Sequence, residues 1–251
     1  MNLNLIYFSP TGSTKKVVEA LSTSWDTPKT NIDISIPNKD YTAYSFFPDD
    51  LCIIGVPSFG GRVPSIAIDH LKEMKSNNTP TIIVATYGNR AYDDTLLELK
   101  DIASECGFKI IAAIAAVTEH SIMHQFATNR PTKEDLNEII GFGERIKASL
   151  SSNSDIMVPG NRPYREYSGV PLKPKTNENC NKCGICASLC PTKSIPHDNP
   201  NTTDDSTCIS CMRCISVCPN DARYLNKAVL LGVSQKMKKV CSSYKKNELF
   251  L

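Results

Sequence analysis

Short, near-continuous apolar runs punctuate the first half of the chain at Leu3–Phe8, Asn31–Ile36, Leu51–Val56, Thr81–Thr86 and Lys109–Val117. Runs of this kind are expected of parallel strands buried on both faces. Between and after them, apolar positions recur at helical spacing over Ser13–Ser24, Pro64–Lys75, Tyr92–Glu105 and Lys133–Leu150. Strands alternating with helices predict an α/β fold, a doubly wound parallel sheet of five strands. Ligands of such sheets sit beyond the carboxyl ends of the strands. The pattern then breaks. Ser151–Thr176 holds Pro159, Pro163, Pro171 and Pro174 and reads as an extended linker, with Tyr164, Tyr167, Val170 and Leu172 laying it on a surface. Near the C-terminus Leu225, Val229, Val233, Met237 and Val240 follow helical spacing with Lys236, Lys238 and Lys239 on other faces. This helix is expected to pack on the body or to form a dimer seam.

Composition narrows the class. In 251 residues, 28 Lys and Arg face 26 Asp and Glu. That balance argues against a nucleic-acid binder relying on bulk positive charge. The longest apolar run, Ile110–Val117, has eight residues, far short of the roughly 20 of a spanning helix. The first residues carry neither a basic region nor a small-residue cleavage site. The expectation is a cytoplasmic protein without membrane insertion. Residues 1–150 carry 14 basic and 18 acidic side chains, residues 151–251 carry 14 and 8, so the charge break coincides with the break in pattern.

Eleven cysteines are present, eight of them inside residues 180–218. Cys180-x2-Cys183-x2-Cys186-x3-Cys190-Pro191 recurs as Cys208-x2-Cys211-x2-Cys214-x3-Cys218-Pro219, an internal duplication. Two-residue gaps let three thiolates wrap one face of a cubane from a tight turn. The longer third gap carries the fourth sulfur to the neighbouring cluster, and proline ends the turn. One 4Fe–4S cluster would then take Cys180, Cys183, Cys186 and Cys218, and the other Cys208, Cys211, Cys214 and Cys190. Zinc, with paired cysteines around one ion, does not explain four cysteines per repeat at this spacing. The remaining Cys52, Cys106 and Cys241 fall in an apolar strand, at a helix end and in a basic tail, and read as ordinary. Residues 175–225 resemble a two-cluster bacterial ferredoxin, which implies a small α+β ferredoxin-like domain over 177–225, followed by a basic helix and tail over 226–251.

Three loops lie at the ligand-bearing edge of the predicted sheet. Ser9-Pro10-Thr11-Gly12-Ser13-Thr14 follows the first strand and opens a helix, combining hydroxyls with a helix N-terminus suited to an anion. No Lys follows its Gly, so it is not a nucleotide-triphosphate loop. Pro57-Ser58-Phe59-Gly60-Gly61-Arg62 follows the third strand, and Thr86-Tyr87-Gly88-Asn89-Arg90-Ala91-Tyr92-Asp93-Asp94 the fourth. Over residues 1–150 these loops resemble the FMN site of the flavodoxin family. That resemblance implies that Ser9, Thr11, Gly12, Ser13 and Thr14 hold the phosphate. It implies that Pro57, Ser58, Phe59, Gly60 and Gly61, with Thr86, Tyr87, Gly88, Asn89, Tyr92 and Asp93, clasp the ring, Phe59 and Tyr87 stacking. Pro37–Asp50 stands where the family has a helix, and the single tryptophan, Trp25, sits at a helix end.

Joined, the two halves resemble the flavodoxin–ferredoxin fusion proteins of anaerobes, the EFR-type ferredoxins. The resemblance implies an electron carrier between FMN and two 4Fe–4S clusters, serving low-potential redox partner proteins, with a homo-oligomer left open. An FMN-dependent reductase of a small acceptor, or a redox sensor, are the other readings. Asp93 and Asp94 would either tune the flavin or begin a helix. His120, after the fifth strand, would reach the flavin or sit on the surface, and Arg62 and Arg90 would steady the flavin or be solvated. Gly141-Phe142-Gly143 lies within a helix and lacks the third glycine of a dinucleotide loop.

Overall fold

A computed structural model describes residues 1–149, 156–167 and 169–251. The N-terminal part runs β1 (Leu3–Tyr7), α1 (Ser13–Ser22), β2 (Lys29–Asp33), β3 (Ser45–Phe46), β4 (Leu51–Pro57), α2 (Ser65–Lys72), β5 (Lys75–Ser76), β6 (Thr79–Tyr87), α3 (Thr95–Glu105), β7 (Phe108–Val117) and α4 (Lys133–Ser149). It continues with β8 (Lys175–Thr176), α5 (Ile185–Ser188), α6 (Arg213–Ser216), β9 (Arg223–Tyr224), α7 (Lys227–Cys241) and β10 (Glu248–Phe250). The main sheet has the order β10-β7-β6-β4-β1-β2. Strands β2, β1, β4, β6 and β7 are mutually parallel. Counting these five alone gives the flavodoxin-like order 2-1-3-4-5, whose ligand crevice opens where the first and third strands diverge.

Alternation along the central strands splits the core in two. Ile6, Ile54 and Ile83 face one side with α2 and α3 through Leu71, Leu96 and Leu99. Leu5, Ile53 and Ile82 face the other with Val17, Leu21, Ile139, Phe142 and Ile146 of α1 and α4, and Trp25 is buried there. The period of two in side-chain direction puts consecutive residues in opposite cores. Where Asn31–Ile36 was expected to be strand, β2 ends at Asp33, because its carboxylate accepts the N–H of Ser35 at 2.8 Å and turns the chain. The turn-rich Pro37–Asp50 forms no helix and contributes only β3, paired with β5.

A sixth strand was not foreseen. β10 pairs antiparallel with the outer edge of β7, Leu249 opposite Ile114. The helix before it, α7, packs on the body: Leu230, Val233 and Met237 meet Ile122, Met123 and Phe126 after β7, together with Leu172, Met212 and Leu225. Val229 and Val240, expected on that face, are 45% and 47% exposed. The covered stripe instead runs Leu230, Val233 and Met237, each partly buried, to the buried Cys241, one helical row over.

Leu150 and residues 151–155, where a predicted helix ends and the predicted linker begins, lie outside the described residues. From Ile156, itself buried, the linker runs along α3. Lys100 Nζ donates to Ile156 O at 2.7 Å, and Arg162 pairs with Asp101 at 2.5 Å. The cysteine-rich segment is a small α+β unit in which β8 and β9 pair antiparallel beside the two short helices α5 and α6. Arg213 of α6 ties it to the sheet edge, donating to Ser35 O at 3.2 Å and pairing with Asp33 at 3.8 Å. No helix among the described residues is long and apolar enough to cross a membrane.

Candidate functional site

At the carboxyl ends of β1, β4, β6 and β7 a cavity is lined by Ser9, Pro10, Thr11, Ser13, Thr14, Pro57, Ser58, Phe59, Thr86, Tyr87, Gly88, Thr118, Glu119, His120, Ser121 and Cys211. Strand ends deliver all of these residues to it except Cys211, which comes from the cysteine-rich unit. Ser9 Oγ accepts the N–H of Lys15 at 2.9 Å, folding the first loop over α1. The α1 N-cap is Gly12, left-handed at φ 90°, with no side-chain cap and no acidic residue in the first turn. Beyond the Lys15 N–H that Ser9 takes, no side chain among the described residues caps the first turn of α1, and its N-terminus faces an anion site. Thr14 and Thr86 share a 2.8 Å hydroxyl contact, and Ser58 N–H donates to Thr86 O at 2.7 Å, linking all three loops. Phe59 rests edge-on against Phe8, and burial pushes the Tyr87 phenol up to about 12, with the Glu248 charge adding to it. Hydroxyls beside a helix N-terminus, plus two aromatic rings and a glycine, suit a ligand with a phosphate and a flat ring.

Six residues expected here are not in the lining. Gly12 supplies the turn, not the wall. Gly60 is covered by the Tyr167 ring, 2.2 Å from where a Cβ would stand, and Gly61 by Asp93 and Arg165. Asn89 turns toward the tail, its amide donating to Cys241 O at 2.5 Å and Ser243 O at 2.9 Å. Tyr92 donates its hydroxyl to Glu248 at 3.0 Å. Asp93 is held between Arg90 and Arg165. Its charge is thus paired, which removes the simple basis for flavin tuning. Asp94 opens α3, but its carboxylate accepts the N–H groups of Asn161 at 2.8 Å and Arg165 at 2.7 Å, fixing the linker. Arg62 is bound to buried Glu98 at 2.6 Å and is a packing residue.

The lining also takes in Pro10 of the first loop, Thr118, Glu119, His120 and Ser121 after β7, and Cys211 of the cysteine-rich unit. The segment after β7 follows a strand at the same edge, and its His120, expected either to reach the flavin or to sit on the surface, lines the cavity. Cys211 could not be foreseen there, because only the docking of the cysteine-rich unit carries it to the edge. Burial, with repulsion from His124, pushes the His120 pKa down to about 4. An unfolded imidazole protonates near pH 6.5. Between those values the unfolded chain binds the extra proton, so stability rises with pH across that window and falls on acidification. The His120 Cε1–H resonance is accordingly expected not to titrate from pH 8 down to about 5. A midpoint near 6.5 would contradict this burial.

Two further cavities contain the eight clustered cysteines. One is lined by Cys180, Cys183, Cys186 and Cys218, the other by Cys190, Cys208, Cys211 and Cys214. Each repeat therefore lends its last cysteine to the other repeat's cavity. Among the described residues no three Cys, His, Asp or Glu converge on a point that would hold a single metal ion. Burial pushes Cys211 and Cys214 up to about 12, so they ionise there only beside a strong positive charge. Burial opposes ionisation of Cys218, but the N–H groups of Asn220, Ala222 and Arg223 outweigh it and lower its pKa. Arg223 pins the polar loop between the repeats through Thr203 Oγ1 at 2.6 Å and Thr202 O at 3.0 Å.

A doubly wound parallel sheet with a cavity at its carboxyl edge is thus joined to a cysteine-rich unit with two four-thiol cavities. Residues 173–241 match the family model of the 4Fe-4S dicluster domain. A trichloroethene reductive dehalogenase of Dehalococcoides mccartyi is 30% identical over 93 residues, covering 31% of this chain and 15% of that protein, so the chain spans under a sixth of that relative's length. Among solved structures, a Streptococcus flavodoxin aligns with a TM-score of 0.42 and 13% identity, over 59% of this chain and 99% of the other. A Fusobacterium nucleatum flavodoxin bound to flavin mononucleotide gives 0.40 and 15%, over 59% and 97%. An NADH:FMN oxidoreductase in its apo form gives 0.44 and 13%, over 61% and 91%.

Proposed function

We propose that the protein carries electrons between FMN and two 4Fe–4S clusters, and through them between redox partner proteins. When bound, FMN supplies a centre that exchanges one or two electrons, and each cluster a centre that exchanges one. Ser9, Thr11, Ser13 and Thr14 would hold the phosphate, Phe59, Tyr87 and Gly88 the ring, and the two swapped cysteine sets the clusters. The observation that carries this reading is Cys211, which lines both the edge cavity and one four-thiol cavity. A ligand of one cluster would therefore border the flavin. The other cavity reaches the surface: Cys183 is exposed and Ile185 is 38% exposed. This supports an order of flavin, inner cluster, outer cluster, then a partner protein docked over Cys183.

The chain's own residues keep the order fixed. Arg213 clamps the inner cysteine loop to Ser35 and Asp33, and the apolar contact of Met212 and Leu225 with Phe126 and Ile122 closes the interface. Tethering removes the search between separate carriers. In protein purified without oxygen, about eight iron atoms per FMN are expected. After rapid reduction of the clusters, the flavin band should bleach with a first-order rate independent of protein concentration. Colourless protein after cofactor loading, or flavin reduction whose rate scales with concentration, would overturn the relay.

A further inference from the structure

One wall of the edge cavity is made by the loop after β7, and that loop closes on itself. Glu119 N–H donates to Arg130 O at 2.8 Å, and His120 N–H to Phe126 O at 3.1 Å. Inside it, His120 Nδ1 accepts the backbone N–H groups of Ile122 and Met123 at 3.2 and 3.3 Å. A ring nitrogen that accepts cannot carry the proton, so in the neutral imidazole the hydrogen sits on Nε2. Nε2 has no hydrogen-bond partner among the described residues, although His120 lines the cavity with Tyr87, Gly88 and Cys211. The third loop packs against the root of this side chain, with no room for a side chain at Gly88. A Cβ on Gly88 would lie 2.8 Å from the Cα, Cβ and Cγ of His120.

We propose that His120 is a fixed neutral N–H donor, presented by the loop after β7 to the ring held in the edge cavity, where it favours that ring's reduced form. The inference rests on the FMN reading above and adds one residue to it. Backbone N–H groups on Nδ1 prevent the ring from turning into its other tautomer, so the donor is already in place before the ligand arrives. Reduction makes the ring more electron-rich, and a hydrogen bond to an electron-rich acceptor is stronger than to a neutral one. The donor therefore binds the reduced ligand better than the oxidised one, which raises its reduction potential.

Two measurements test this on the full holo protein. In ¹⁵N spectra of the wild type, His120 should show the Nε2–H tautomer, with the Nε2 resonance moving when FMN is added. In a His120→Phe variant, the preference for reduced over oxidised FMN should fall about tenfold, equivalent to 59 mV for one electron. His120→Gln, which keeps a neutral N–H donor, should recover most of that shift. An Nδ1–H tautomer in the wild type, or equal potentials in the wild type and His120→Phe, overturns the proposal while leaving FMN binding intact. Failure of the wild type to bind FMN overturns both this and the reading beneath it.

Discussion

A Cys190→Ala variant is expected to lose about half its iron, and the cluster lost is expected to be the one whose cavity shares Cys211 with the edge cavity, not the one its own repeat would complete. The reason is the exchange of last cysteines: Cys190 lies in the cavity of Cys208, Cys211 and Cys214, and Cys218 in that of Cys180, Cys183 and Cys186. Double variants make the exchange measurable. Cys183→Ala with Cys218→Ala strikes one cavity twice and should leave about half the iron, whereas Cys183→Ala with Cys190→Ala strikes both and should leave almost none. If each repeat served its own cluster, the two double variants would trade results. Function separates the singles as well. Flavin–cluster exchange should vanish in Cys190→Ala and persist in Cys218→Ala, because only the first removes the centre beside Cys211. Iron and acid-labile sulfide, quantified against protein, with stopped-flow of each variant, decide the matter.

What could be read from the chain beforehand depended on how local its cause is. The duplicated cysteine spacing is a local signal, and the exchanged cavities follow it. The five parallel strands were legible because burial on both faces forces unbroken apolar runs such as Leu51–Val56. The three ligand loops were legible as sequence but not as geometry. Asn89, Tyr92 and Asp93 look like cavity residues until Ser243, Glu248 and Arg165 take their hydrogen-bonding groups, partners 72 to 156 positions away. The mistaken face of α7 has a similar origin. Val229 and Val240 are apolar, but which row of a helix is covered depends on Met123 and Phe126 lying beneath it. The three-residue β10 leaves no alternation to detect, and its place is set by a free edge on β7.

That edge strand carries the second large effect. Asn247 is 6% exposed, and its amide bridges strand and helix: Oδ1 accepts the N–H of Val117 at 2.9 Å, while Nδ2 donates to Glu138 at 2.7 Å and Asp135 at 3.3 Å. Asn247→Ala leaves a buried N–H without a partner and is expected to lower stability by about 2 kcal/mol. Removing residues 247–251 also strips Leu249 and Phe250 from the two cores and opens Ala113–Ala115 of β7 as an unpaired edge. A loss of about 4 kcal/mol, together with concentration-dependent association, is then expected. Urea unfolding with unchanged slope and light scattering measure the two effects, and a loss below about 0.5 kcal/mol for the truncation would mean that the strand is ornamental to the fold. Asn247→Asp sharpens the test. It preserves the acceptor for Val117 but sets a third carboxylate against Asp135 and Glu138, so the new group is easier to protonate folded than unfolded. Its destabilisation relative to the wild type should therefore shrink as the pH falls toward the carboxylate range, a sign that simple loss of packing would not produce.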